Sequence, residues 1–152
     1  MTDCDNYGNI YGEKTVSSLV SFHYGGTASY LNISNCANYG KITGKTNVRI
    51  FFCSKQNGKV TIENCINTGV VKSDETKAET LVNLFGNATF INCISSSYFN
   101  GVKKNLYIGD NFKEFCFDER KNMIFLKDKI TQHFLTYDVD EDFFTRYNFI
   151  KL

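Results

Sequence analysis

Cys36-Ala37-Asn38-Tyr39-Gly40-Lys41-Ile42-Thr43-Gly44 decides the reading of this chain, because versions of it stand at three other places. Cys4-Asp5-Asn6-Tyr7-Gly8-Asn9-Ile10-Tyr11-Gly12 precedes it and Cys65-Ile66-Asn67-Thr68-Gly69-Val70-Val71-Lys72-Ser73 follows. A fourth version, Cys93-Ile94-Ser95-Ser96-Ser97-Tyr98-Phe99-Asn100-Gly101, has Ser95 and Ser97 where the others have Asn and the first Gly. The four cysteines are 32, 29 and 28 residues apart. Self-similarity at a period of roughly 20–50 residues marks repeat architectures.

Working outward, each later cysteine follows an alternating run that ends in Asn. These are Leu31-Asn32-Ile33-Ser34-Asn35, Val60-Thr61-Ile62-Glu63-Asn64 and Ala88-Thr89-Phe90-Ile91-Asn92. Further upstream lie Leu19-Val20-Ser21-Phe22, Val48-Arg49-Ile50-Phe51-Phe52 and Leu81-Val82-Asn83-Leu84-Phe85. A period of two fits strands and not helices. Such a unit cannot bury its apolar face alone but does so when stacked on its own copy. Equivalent positions then fall about 4.8 Å apart, so four coils span roughly 19 Å. Parallel crossovers are nearly always right-handed. The expectation is an all-β chain: a right-handed parallel β-helix (β-solenoid) of about four coils over residues 1–101, with a C-terminal β-rich cap over 102–152.

Asn-x-Gly after each cysteine is a turn signal, since Asn tolerates left-handed φ and Gly carries no Cβ. Asn6, Asn38 and Asn67 are expected to form a ladder, each amide serving its neighbour's backbone. Cys4, Cys36, Cys65 and Cys93 form a second structural ladder, of thiols that pack as small hydrophobes. Tyr7 and Tyr39 hold equivalent turn positions. They read either as an aromatic ladder that stiffens the turn or as a stacking platform for a glycan.

The pattern Asn-Cys-x-Asn-x-Gly-x-Ile/Val-x-Gly resembles the Gly-rich repeats, including the GLUG type, of large surface and secreted proteins in bacteria and some protists. The resemblance covers residues 1–101. The family's Gly-Leu-Val-Gly element is absent, with Ser18-Leu19-Val20-Ser21 the nearest match. The resemblance implies a parallel β-helix used as a cell-surface or adhesive stalk, and it implies no catalytic residue.

Beyond Gly101 the pattern stops. Phe115-Cys116-Phe117 and Met123-Ile124-Phe125-Leu126 flank a charged stretch and read as a β-hairpin. Aromatic runs follow at 130–137 and 143–150. An open solenoid end exposes unpaired backbone, so this segment, residues 102–152, is expected to close the C-terminal end, or else to stand as a small appended β-rich segment with its own binding surface. The N-terminal coil has no comparable cap and is expected to be continued by further repeats or met by another chain.

Composition narrows function. The 152 residues carry 17 basic and 16 acidic groups, net +1, which is not the footprint of a nucleic-acid binder. No run of apolar residues is long enough to insert in a membrane, and no signal peptide opens the chain. Zinc needs its sulfurs about 2.3 Å from one ion; rungs roughly 4.8 Å apart bring at most two of the four ladder cysteines to one metal. Cys53 and Cys116 fall outside that ladder. His23 and His133 are the only histidines, and neither stands in a recognisable pattern with a Ser or Cys nucleophile. Asp138-Val139-Asp140-Glu141-Asp142 begins like a calcium loop, but Phe143 stands where that loop needs Gly and Phe149 where it needs Glu. Outward positions such as Lys41, Thr43, Thr61, Glu63 and Lys72 offer no cluster for polysaccharide cleavage. The expectation is a protein that is not an enzyme, takes no cofactor or metal, and works as a structural or adhesive module at a cell surface or in secreted form. Its partner is a protein or a glycan. The alternative is a carbohydrate-binding or polysaccharide-cleaving β-helix module.

Overall fold

The computed structural model describes residues 1–74, 88–109, 115–118, 123–126 and 150–151. These are all-β, with parallel sheets, no helix and no closed barrel. Residues 81–85, 130–149 and the Cys116 side chain, on which some of the expectations above fall, lie outside the described set.

Four short strands follow the four cysteines: β1 (Asp5–Asn6), β5 (Ala37–Asn38), β9 (Ile66–Asn67) and the start of β12 (Cys93–Phe99). They pair side by side and parallel, with Asp5 opposite Ala37, Ala37 opposite Ile66, and Ile66 opposite Ile94. Those offsets, 32, 29 and 28 residues, are the cysteine spacings. A second row joins β2 (Ile10–Val16), β6 (Ile42–Val48), β10 (Val71–Ser73) and the end of β12, again parallel, through Ile10, Ile42, Val71 and Phe99. A third pairs β3 (Val20–His23) with β7 (Phe52–Lys55). The fourth holds β4 (Tyr30–Ser34), β8 (Lys59–Glu63) and β11 (Thr89–Ile91), and Thr2 bridges to Ser34 at its near end. The chain therefore lies in four tiers: residues 1–23, 30–55, 59–74 and 88–99.

Alternation sends one side chain of each strand pair inward. Ile33 and Ile62 meet in register, as do Ile42, Val71 and Phe99, and Val16 with Val48. All are buried, with Ile50, Phe51, Phe52 and Val60 in the same cluster. Each such side chain contributes about 1.5–3 kcal/mol relative to exposure. Outward neighbours are Lys41, Glu63 and Lys72, all exposed, and Thr43 and Thr61, half-buried.

Two local expectations are corrected. Val48 belongs to β6 and lies opposite Val16; it is Phe52, not Val48, that opens the strand paired with Val20. Left-handed backbone falls on neither the Asn nor the Gly of the Asn-x-Gly step. It falls one residue before each cysteine, at Asp3, Asn35, Asn64 and Asn92, with φ of 55°, 53°, 50° and 49°. Asx residues tolerate that region. There the chain bends from one row into the next, and each thiol donates back to the carbonyl two residues earlier: Cys4 to Thr2, Cys36 to Ser34, Cys65 to Glu63 and Cys93 to Ile91, at 3.1–3.4 Å.

The glycines answer to a different cause. A Cβ on Gly40 would collide with the carbonyl of Gly8 and lie 2.9 Å from Asn6 Nδ2. A Cβ on Gly69 would collide with the carbonyl of Gly40 and lie 2.6 Å from Asn38 Nδ2. Gly is required there because the preceding tier's carbonyl takes the space.

The last tier differs. β12 turns at Asn100 and Gly101, both at positive φ (47° and 81°), into β13 (Val102–Ile108). That is the two-residue Asn-Gly hairpin whose twist matches paired strands. β13 pairs antiparallel along the whole of β12, from Cys93 opposite Ile108 to Phe99 opposite Val102. Farther on, β14 (Phe115–Asp118) and β15 (Met123–Leu126) form the expected antiparallel hairpin, with β16 (Ile150–Lys151) parallel to β14.

Candidate functional site

The turn after β1 and β5 carries the most organised polar chemistry among the described residues. Asn6 Nδ2 donates to Asn38 Oδ1 at 2.7 Å, Asn38 Nδ2 to Asn67 Oδ1 at 2.6 Å, and Asn67 Nδ2 to Ser95 Oγ at 3.0 Å. Each second amide proton goes to the carbonyl of its own turn glycine: Gly8 at 2.8 Å, Gly40 at 2.9 Å and Gly69 at 3.1 Å. So the amides serve their neighbours' side chains and their own backbone. The expected bond to the neighbour's backbone is replaced, because parallel register puts like side chain against like. Asn38 and Asn67 are fully buried, and burial of an amide is tolerated only when its donors and acceptor are satisfied. The row has a direction, since each Nδ2 donates to the later tier and the Oδ1 of Asn38 and of Asn67 accepts from the earlier one.

Tyr7 stacks on Tyr39 with ring centroids 4.9 Å apart and planes 17° apart. Tyr39 is 4% exposed and Tyr7 44%. A flat ligand therefore reaches the Tyr7 ring and not Tyr39. Burial first, then the charges of Asp5 and Tyr7, hold the Tyr39 phenol well above its ordinary range. Other exposed aromatics gather in the first thirty residues, with Tyr11, Phe22, Tyr24 and Tyr30 all well exposed. Lys59 Nζ sits 5.9 Å from the centre of the Tyr30 ring.

Behind the asparagines runs the cysteine row. Cys36, Cys65 and Cys93 are buried and Cys4 is exposed; none is in a disulfide. Hydrogen bonds with the Cys36 and Cys93 thiols, then burial, hold the Cys65 thiol far above its ordinary value. Such a thiol stays protonated and unreactive. Cys53, outside the row, is also buried and donates to the Asn47 carbonyl at 2.6 Å. Burial pushes its thiol up to about 11 although Arg49 pulls the other way. It lines a shallow cleft of about 170 Å³ with Thr15, Phe22, Asn47 and Arg49. A larger cleft, about 470 Å³, lies beside β10 and the Asn100-Gly101 turn. Its charged groups are Lys41, and Lys72 paired with Asp74 at 3.8 Å.

One histidine meets a serine. His23 Nε2 lies 3.3 Å from Ser29 Oγ, six residues on, because the 24–29 turn folds back. The pair is not arranged as base and nucleophile. Ser29 Oγ donates its proton to the Gly26 carbonyl at 2.8 Å, so the imidazole serves as donor to that oxygen. A general base needs the reverse. Ser29 also fills the space a Cβ on Gly58 would occupy, which marks it as a packing residue of the turn. Among the described residues no three of His, Cys, Asp and Glu come together as a metal-holding group, and no helix is long and apolar enough to cross a membrane. Comparison with family models, curated proteins and solved structures finds no match for this chain.

Proposed function

We propose that residues 1–101 form a right-handed parallel β-solenoid of about four coils. In this reading it is a non-catalytic structural or adhesive module of a surface or secreted protein, holding a protein or cell-surface partner. The observation that carries this reading is the common register: all four rows are parallel, every tier is offset from the next by one coil length, and one direction of side chains fills the interior. Right-handedness follows from the preference of parallel crossovers. The antiparallel strand Val102–Ile108 laid along Cys93–Phe99 supports a C-terminal cap over 102–152. The sequence resemblance to Gly/Asn-rich surface repeats points the same way. The buried asparagine amides are consumed in structural hydrogen bonds, and in the His23–Ser29 contact among the described residues the Ser29 hydroxyl proton goes to the Gly26 carbonyl.

A second reading, a carbohydrate-binding module, is favoured by the exposed Tyr7 ring with Tyr11, Tyr24 and Tyr30 on the same part of the chain. Purified protein passed in parallel over a glycan array and an array of extracellular proteins separates the two. Saturable binding to proteins, with a silent glycan array, is the expected result. Selective glycan binding that disappears in Tyr7→Ala and Tyr11→Ala would replace the adhesive reading with the glycan one.

A further inference from the structure

We propose that the cleft lined by Thr15, Phe22, Asn47, Arg49 and Cys53 receives one carboxylate side chain, an aspartate or glutamate presented by the partner protein. This rests on the protein-contact reading above and names what the partner must carry.

Two tiers build the cleft where the second row gives way to the third. Thr15 and Asn47 stand in β2 and β6, each between the facing pairs Lys14–Thr46 and Val16–Val48. Phe22 and Cys53 belong to β3 and β7. Arg49 lies at the bend between β6 and β7, where its backbone N–H donates to the Val16 carbonyl at 2.9 Å. The guanidinium of Arg49 is the one charge in the lining, and no acidic residue joins it there among the described residues. Arg49 is half-buried. Its Nη1 donates to the Val48 carbonyl at 3.2 Å, which steadies the head and leaves the rest of the fork to the cleft. Among the described residues it makes no ion pair, and Glu13, two residues before Thr15, is paired with Lys45 at 3.5 Å. Its charge is felt in the wall, since it draws the Cys53 thiol down against the effect of burial.

Backbone geometry marks the same place. Thr15 has φ of 55° and Asn47 of 50°. Asn tolerates that region, whereas a β-branched residue enters it only under strain. Asn47 shows that an Asx residue makes this bend without that strain, so the Thr at position 15 is not explained by the bend. Strain of this kind gathers at ligand clamps. Among the described residues the Thr15 hydroxyl and the Asn47 amide are in no hydrogen bond, so the cleft holds two neutral donors beside the guanidinium.

Size and charge select the occupant. The volume of about 170 Å³ lies below the roughly 300–1,000 Å³ of small-molecule pockets. It takes the end of one side chain and not a length of oligosaccharide. A single guanidinium matches a single negative charge, and its planar fork pairs a carboxylate through two parallel hydrogen bonds. Phe22, 51% exposed, offers apolar surface to the methylene stem behind that carboxylate.

The probe is N-acetylglutamate α-methylamide, titrated into the whole chain at constant ionic strength and followed by NMR on the Asn47 and Cys53 backbone amides and on the Arg49 Nε–H. Saturable shifts are expected, at least fivefold weaker in affinity for the neutral glutamine analogue and for the chain carrying Arg49→Gln. Thr15→Gly keeps the circular dichroism of the wild type, since Gly adopts positive φ freely, and is expected to weaken the probe at least threefold. Shifts that do not saturate, or equal affinity for the glutamine analogue, overturn the proposal. Tighter binding of inorganic phosphate or of a glucuronate disaccharide overturns it by giving the cleft to another ligand. So does a gain in affinity when the chain carries Glu75→Gln and Glu79→Gln, which would assign the cleft to the chain's own carboxylates. On the protein array, capture is expected to fall in Arg49→Gln. Equal capture by wild type and Arg49→Gln overturns this proposal and leaves the adhesive reading intact. A silent array beside saturable probe binding overturns the adhesive reading and upholds the carboxylate site.

Discussion

The turn after Cys4 and the turn after Cys36 are nearly the same in sequence, Asn6-Tyr7-Gly8 against Asn38-Tyr39-Gly40, and they live in different surroundings. In the inner turn Asn38 and Tyr39 are buried and Gly40 lies against the Gly8 carbonyl. In the outer turn Tyr7 is 44% exposed, and among the described residues a Cβ on Gly8 would meet nothing nearer than Asn6 Oδ1 at 3.6 Å. The far tier gives the third case: Ser95 and Ser97 replace Asn and Gly, and an antiparallel strand closes it. The comparison separates what a residue does for its own turn from what it does for its neighbour. Conformational freedom is not the issue at these glycines, since none of Gly8, Gly40 and Gly69 has positive φ. Clearance for the preceding tier is. Alanine at the three positions should therefore give unequal results. Gly40→Ala and Gly69→Ala put a methyl group into backbone and should each cost about 3 kcal/mol in urea unfolding, the upper end of overpacking. Gly8→Ala should leave the unfolding midpoint unchanged. Equal losses at Gly8 and Gly40 would return the explanation to the turn itself.

The asparagines sharpen the same contrast with a smaller effect. Asn38→Ala removes a buried amide bonded to Asn6, Asn67 and Gly40 and strands polar atoms in the interior. The expected loss is about 2 kcal/mol. Asn6→Ala removes the terminal rung, where solvent can replace part of what is lost, and should cost less than half as much. Thermal or urea unfolding of the two variants side by side measures the difference. If Asn6→Ala costs as much as Asn38→Ala, the row is not cooperative along its length.

Strand offsets were open to sequence reading because a parallel register repeats the same side chains at the same depth, so the cysteine spacing is the register. The inward faces followed from alternation at Ile33, Ile62 and Val71. What resisted reading has physical reasons. Val48-Arg49-Ile50-Phe51-Phe52 looks like one strand, but Asn47 is at positive φ (50°) and Ile50, Phe51 and Phe52 are all buried in succession. A period of two cannot represent that bend. Asn100-Gly101 is a strong hairpin signal that was absorbed into the fading end of the fourth motif. The Asp or Asn before each of the four ladder cysteines is visible in the sequence, but not its role, since αL residues leave no periodicity. The amide-to-amide direction of the Asn row, the burial of Tyr39 under Tyr7 and the His23–Ser29 contact depend on three-dimensional neighbours. Only the equivalence of positions was legible.

The thiols give the smallest and last test of the outer and inner positions. Cys4 and Cys65 stand at the same place in their motifs, yet Cys4 is exposed and Cys65 is buried between Cys36 and Cys93. At pH 8 a thiol reagent should find Cys4 in a fast step that Cys4→Ser removes, while Cys36, Cys65 and Cys93 react only as the chain unfolds. The buried thiols also set a pH dependence. Cys53 is held at about 11 against an ordinary 9.0 by burial, with Arg49 opposing, and Cys65 is raised as well. In the unfolded chain these groups ionise first, so their contribution to stability is complete below pH 9. It is lost as the pH rises toward 11. Tyr39, raised from 10.0 by burial, extends the loss to higher pH. The melting temperature should be flat from pH 7 to 8.5 and fall steadily to pH 11, and Cys53→Ala should flatten part of that fall while Cys4→Ser leaves it unchanged. A fall that depended on Cys4 and not on Cys53 would place the titrating group in the first tier's turn and reverse the assignment of inner and outer positions.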